Sequence, residues 1–85
     1  MRFICDAGHG WGEVSVDLLN ELRIANQISR YSYVKGDKAY LEEDCDLPIF
    51  LNEMEKQGKK ITFIEEHSNH DSWVRNLKRF EWGFE

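Results

Sequence analysis

The residue types best able to do chemistry in this 85-residue chain are three histidines, two cysteines and a dense group of acids. His9 lies in Ala7-Gly8-His9-Gly10-Trp11-Gly12, with Cys5, Asp6 and Glu13 nearby, and His67 and His70 bracket Ser68-Asn69. Zn²⁺ accepts each of these ligand types. His9 and His67, with Glu13 or His70, therefore define a metal-binding domain or metal-dependent hydrolase as one reading. No Cys-x-x-Cys or His-Glu-x-x-His pattern fixes a ligand geometry. The expectation from the residues is thus no metal site and no cofactor, with the imidazoles as ordinary surface-loop residues.

Covalent catalysis finds little material. Cys45 sits among Glu42, Glu43, Asp44 and Asp46, whose charge raises a thiol's pKa and suppresses the thiolate. Cys5 alternates with Phe3 and reads as a buried thiol. No Gly-x-Ser-x-Gly elbow is present. The pairs Glu42-Glu43 and Glu65-Glu66 are adjacent in strands, so each pair points to opposite faces and cannot share a proton. The Gly8–Gly12 loop has no lysine and runs into Glu13, which repels phosphate. No catalytic residue is assigned, and the chain reads as a non-enzyme.

Binding is the reading left. Tyr31, Tyr33 and Tyr40 fall on one face of an expected hairpin that continues into Glu42, Glu43, Asp44 and Asp46. Left open, this is a tyrosine patch with an anionic rim; covered by a helix, the tyrosines are core. Residues 37–46 hold five carboxylates against one lysine, whereas 75–79 hold three bases and no acid. The net charge is −5, which disfavours direct nucleic-acid binding and docking on anionic membranes. A protein–protein interaction module for a basic partner is the expectation. The aromatic end, Phe80-Glu81-Trp82-Gly83-Phe84, suggests docking on the domain or self-association, and hence a homo-oligomeric structural protein as a further alternative. No apolar run reaches the ~18 residues of a membrane span. Met1–Asp6 lacks signal-peptide character, so a cytoplasmic protein with free thiols is expected.

The elements that must position these residues read as one α+β domain over 1–85. The expectation is a small, mainly antiparallel sheet of four to five strands, with one main helix and two short ones. Arg2–Asp6 and Glu13–Val16 alternate as strands, and Asp17 can cap a short helix carrying Leu18, Leu19 and Leu22. Arg30–Lys35 and Lys38–Glu43, separated by Gly36-Asp37, describe a hairpin. Its pairs are Lys35 with Lys38, Val34 with Ala39, Tyr33 with Tyr40 and Ser32 with Leu41. Asp46 is expected to cap the main helix, with Pro48 in the first turn, Leu47, Phe50, Leu51 and Met54 on one stripe, and Gly58 at the end. Ile61–Ile64 reads as a strand and residues 67–71 as a loop. Asp71 or Ser72 then caps a last short helix with Trp73, Leu77 and Phe80 on one side.

Ile4-Cys5-Asp6-Ala7-Gly8-His9-Gly10 resembles the DAGHG signature of zinc-dependent N-acetylmuramoyl-L-alanine amidases. The resemblance implies a zinc ligand at His9, a second in His67-Ser68-Asn69, and a glutamate ligand for which Glu13 and Glu21 are the nearby candidates. Glu66 stands where that family has an apolar residue, and the chain is far shorter than the family's domain. Gly8-His9-Gly10-Trp11-x-Glu13-Val14, Tyr31-Ser32-Tyr33 with Gly36-Asp37, and Tyr40 through Asp46 are similar to a family of small uncharacterised proteins encoded by bacteriophages and plasmids. That likeness implies a cytoplasmic accessory role in a bacterial host.

Overall fold

The computed structural model of the chain describes residues 1–81. Strand β1 (Arg2–Cys5) turns back into β2 (Gly10–Ser15), which runs into helix α1 (Val16–Glu21) and a 3₁₀ turn at Ala25–Gln27. The hairpin β3 (Tyr33–Lys35) and β4 (Lys38–Glu42) follows, then helix α2 (Leu47–Lys56), strand β5 (Ile64–His67), a second 3₁₀ turn at Trp73–Asn76 and strand β6 (Lys78–Arg79). The six strands form one sheet in the order β5-β1-β2-β4-β3-β6. All neighbours are antiparallel except β1 and β5. The fold is α+β as expected, with more strands than the pattern suggested. The last expected helix is a 3₁₀ turn.

The hairpin register follows its sequence. Tyr33 opposes Tyr40, Val34 opposes Ala39 and Lys35 opposes Lys38, with Gly36 at φ 60° in the turn. Alternation then sends Val34, Ala39 and Leu41 to one sheet face and Tyr33 and Tyr40 to the other. The first face packs under α1, α2 and the first 3₁₀ turn, around Val14, Leu19, Ile28, Leu41, Phe50 and Met54. The second gathers Ile4, Trp11, Tyr33 and Tyr40 beneath Val74. Neither helix covers the tyrosines; the segment from Ser72 to Arg79 does. Phe80 returns to the first core, while Trp82, Gly83 and Phe84 lie outside the described residues.

Four local expectations are corrected. Gly10 and Gly12 belong to β2 rather than to a loop. A Cβ on Gly10 would run into the Phe3 ring, and one on Gly12 would lie 2.8 Å from Leu47 Cδ1. These two glycines let α2 and β1 side chains lie on the strand. Ser15, not Asp17, caps α1, accepting from Leu18 N–H at 3.3 Å. The late strand begins at Ile64 rather than Ile61, because the Met1 ammonium takes the Thr62 carbonyl and Ile64 N–H donates to Met1 O, which sets the parallel register on β1. In the last turn Val74 is fully buried and Trp73 is 40% exposed, so Trp73 is not an inward anchor.

Both helices close with the same motif. In α2, Lys59 N–H reaches Met54 O and Gly58, at φ 73°, reaches Glu55 O. In α1, Ile24 N–H reaches Leu19 O and Arg23 reaches Asn20 O, with Arg23 in the left-handed region at φ 61°. Buried Ile24 and Leu19 supply the apolar contact of the motif. An arginine pays a steric penalty there that glycine avoids. Arg23→Gly is therefore expected to raise stability by about 0.5–1 kcal/mol in denaturant unfolding. Gly10→Ala should lower it by roughly 1–3 kcal/mol through overpacking against Phe3.

Candidate functional site

The chain leaves β1 at Cys5 and turns through Asp6–His9, closed by Asp6 N–H donating to His9 O at 2.9 Å. The Asp6 carboxylate faces inward and accepts from the backbone N–H of Gly8 (3.0 Å) and His9 (2.9 Å). From the far end of the chain it accepts from Ser72 N–H at 2.9 Å and from Arg75 Nε and Nη2 at 2.7 and 3.0 Å. Five donors on one buried carboxylate favour its charged form. The Arg75 guanidinium, helped by the Ser72, His9 and Gly8 amides and opposed by burial, holds the Asp6 carboxyl well below the usual carboxylate range. Arg75 in turn lies over the Trp11 ring, 5.3 Å from its centroid.

Two further buried acids shape the opposite side. Asp46 occupies the N-cap position of α2, yet its carboxylate makes no capping bond. It accepts from Ser29 N–H (3.1 Å), Ser29 Oγ (2.7 Å) and Ser32 Oγ, and Ser32 Oγ accepts from Glu42 N–H at 2.9 Å. This ties the segment before β3 to the end of β4. Glu42 Oε1 accepts from Asp44 N–H and Cys45 N–H at 2.9 and 2.8 Å, turning the chain from β4 toward α2. Desolvation, then a hydrogen bond to Glu42 and the neighbouring carboxylates push the Cys45 thiol up. Burial followed by the charges of Glu65, Glu43 and Asp6 pushes Cys5 up as well. Both thiols are held away from the nucleophilic form.

These pieces enclose a cavity of about 300 Å³, lined by His9, Trp11, Tyr31, Tyr33, Glu42, Asp44, Cys45, Arg75 and Arg79. The glycine-rich motif, the tyrosine hairpin, the acidic run and the basic run, far apart in sequence, meet there. Trp11 is 1% exposed and contacts Tyr33 and His9 edge-on, at centroid distances of 6.1 Å in each case. Its Nε1–H is the single buried side-chain donor without an acceptor among the described residues. Such a donor costs roughly 1–3 kcal/mol when unmatched. Arg79 lies 4.7 Å over the Tyr33 ring and donates to Arg30 O.

The seven expected binding residues are divided among four places. Tyr31, Tyr33, Glu42 and Asp44 line the cavity. Tyr40 is buried under Trp73, with ring centroids 5.2 Å apart, and its hydroxyl donates to Glu13 at 3.0 Å. Burial and that bond push the phenol up to about 12. Asp46 is buried in the serine network. Glu43 stands on the helix-bearing face, lining a groove of about 310 Å³ with Phe3, Leu47, Leu51, Phe63 and Glu65. No continuous acidic ridge forms, because Glu42 and Asp46 are engaged within the fold and the outward Glu43 and Asp44 line different hollows. Trp11, Arg75 and Arg79 were absent from the expected site. The signal for the two arginines is a basic run that could answer the acidic one.

His67 lies opposite Cys5 at the end of β5, and His9 lies on the cavity rim. Among the described residues no group of three or more His, Cys, Asp or Glu side chains could hold a metal ion. No helix among them is long and apolar enough to cross a membrane. Comparison with protein-family models, with curated proteins and with solved structures finds no match for the chain.

The Asp6 carboxyl titrates lower in the folded chain than in the unfolded one, so its stabilising contribution is full above ~3.9 and is lost as pH falls below that value. Asp6→Asn is expected to lower the thermal midpoint by roughly 5–15 °C at neutral pH. The gap between wild type and variant should stay constant above about pH 5 and narrow below about pH 4 in a series of melts.

Proposed function

We propose that the chain is a non-enzymatic interaction module that binds a basic, extended segment of a partner protein. The supporting observation is the groove beside strand β5. Phe3, Leu47, Leu51 and Phe63 give it an apolar lining, and among the described residues Glu43 and Glu65 are its charged members. Phe63 and Ile64 are two of the four large hydrophobic residues left exposed among the described residues, at 43% and 66%. All four residues of β5 are exposed, and β5 is an edge of the sheet. An open edge offers backbone N–H and C=O groups to an added strand, and the groove offers a place for one of its side chains.

The chemistry fits a lysine- or arginine-bearing strand. Its aliphatic stem would lie on Phe3 and Phe63, which meet edge-to-face at 5.8 Å, and its charge would sit between the two glutamates. The net charge of −5 would steer such a partner toward the surface. The likeness to small phage- and plasmid-borne proteins fits an accessory role of this kind in a bacterial cytoplasm.

A synthetic peptide alternating lysine with valine, and its glutamate counterpart, provide the test by fluorescence anisotropy at low and high salt. The basic peptide should bind and the acidic one should not. Glu43→Gln with Glu65→Gln should weaken binding roughly threefold to thirtyfold and flatten its salt dependence. Equal binding of the two peptides, or no change in the double variant, would overturn the reading.

A further inference from the structure

The two edges of the sheet carry opposite charge. Strand β5 presents Glu65 and Glu66 with no lysine or arginine, whereas β6 consists of Lys78 and Arg79. All four side chains are exposed. Ile64 N–H donates to Met1 O and Ser68 N–H to Cys5 O, so alternation turns the backbone groups of Glu65 and His67 to the open side. Phe80 N–H donates to Ser32 O beside β3, which turns the Arg79 backbone to the open side of β6. Across the sheet, β5, β1, β4 and β6 run one way and β2 and β3 the other. The two edges thus share a direction. Strand β6 of one copy can lie parallel to β5 of the next without either sheet turning over.

From this arrangement we infer that the β5 edge accepts strand β6 of a second copy of this chain, joining copies head to tail in one continuous sheet. The inference rests on the reading of β5 as a strand acceptor and names the basic strand it takes. Both outward residues of β5 are engaged when Arg79 N–H donates to Glu65 O and His67 N–H donates to Arg79 O. That register sets Arg79 beside Glu66 and Lys78 beside Glu65. The faces agree as well. Lys78 shares the helix-bearing face with Val34, as Glu65 does with Phe3; Arg79 shares the opposite face with Tyr33, as Glu66 does with Ile4. Glu66 is already paired with Arg2 at 2.6 Å, and Arg79 lies on Tyr33. Lys78 on Glu65, with Glu43 across the groove, therefore carries the recognition. Two β5 edges pairing through the same groups would set Glu66 against its own copy, which disfavours a two-fold dimer there. Each copy keeps one acidic and one basic edge, so growth continues until a ring closes or a filament forms. Strands this short hold weakly, so the assembly depends on concentration.

Sedimentation equilibrium of the whole chain at low salt, from micromolar to millimolar concentration, reads the assembly. The mass should rise past that of a dimer and return to the monomer at high salt. Glu65→Lys and Lys78→Glu, each at an exposed position, should each raise the concentration for half-assembly about tenfold or more. An equimolar mixture of the two variants should assemble again, because both of its contacts then pair an acid with a base. A monomer at every concentration, a mass that stops at the dimer, or a mixture that stays monomeric would overturn the inference. The Lys78→Glu chain keeps its β5 edge and so tests the underlying reading separately. If it binds the basic peptide while the wild type never self-associates, the acceptor role of β5 stands and the assignment of β6 as its strand falls.

Discussion

A single buried carboxylate organises the face on which the sequence motifs meet. Asp6 closes the β1–β2 turn from within and takes Ser72 and Arg75 from a segment more than sixty residues later. Without that anchor, the stretch from Ser72 to Arg79 would have a short strand and one turn of 3₁₀ helix to hold it, too little for independent stability. With it, Val74 seals the second core and Arg75 is fixed over Trp11. The geometry of the cavity therefore depends on an ion pair rather than on a helix.

The same logic explains why acids crowded in sequence do not make a single acidic surface. A small domain cannot spare polar side chains for display alone when its connections are short. Asp46 and Glu42 are drawn into holding the loop before β3 and the turn before α2, where they satisfy backbone and hydroxyl donors. The carboxylates left outward, Glu43 and Asp44, fall on different sides of the sheet. One looks onto an apolar groove at an open edge, the other onto an aromatic cavity with its own arginines.

Much of the local structure was legible because its causes are local. The Gly36-Asp37 turn dictates the β3–β4 register, and the stripe Leu47, Phe50, Met54 dictates which side of α2 is buried. What escaped is what distant residues decide. The parallel pairing of β5 on β1 joins segments about sixty residues apart, and no periodicity announces it. Gly10 and Gly12 read as a loop because the side chains that require their smallness, Phe3, Leu47 and Met1, come from other elements. The His9 motif suggested metal chemistry, yet its aspartate serves an arginine instead.

The dependence of this face on Asp6 can be measured by amide hydrogen exchange in Arg75→Gln. The account predicts that Ser72, Gly8 and His9 exchange faster together, since their N–H groups share one acceptor, while the α2 amides of Met54 and its neighbours keep their protection. Unchanged exchange at all three, or acceleration at Ser72 with Gly8 and His9 undisturbed, would contradict it.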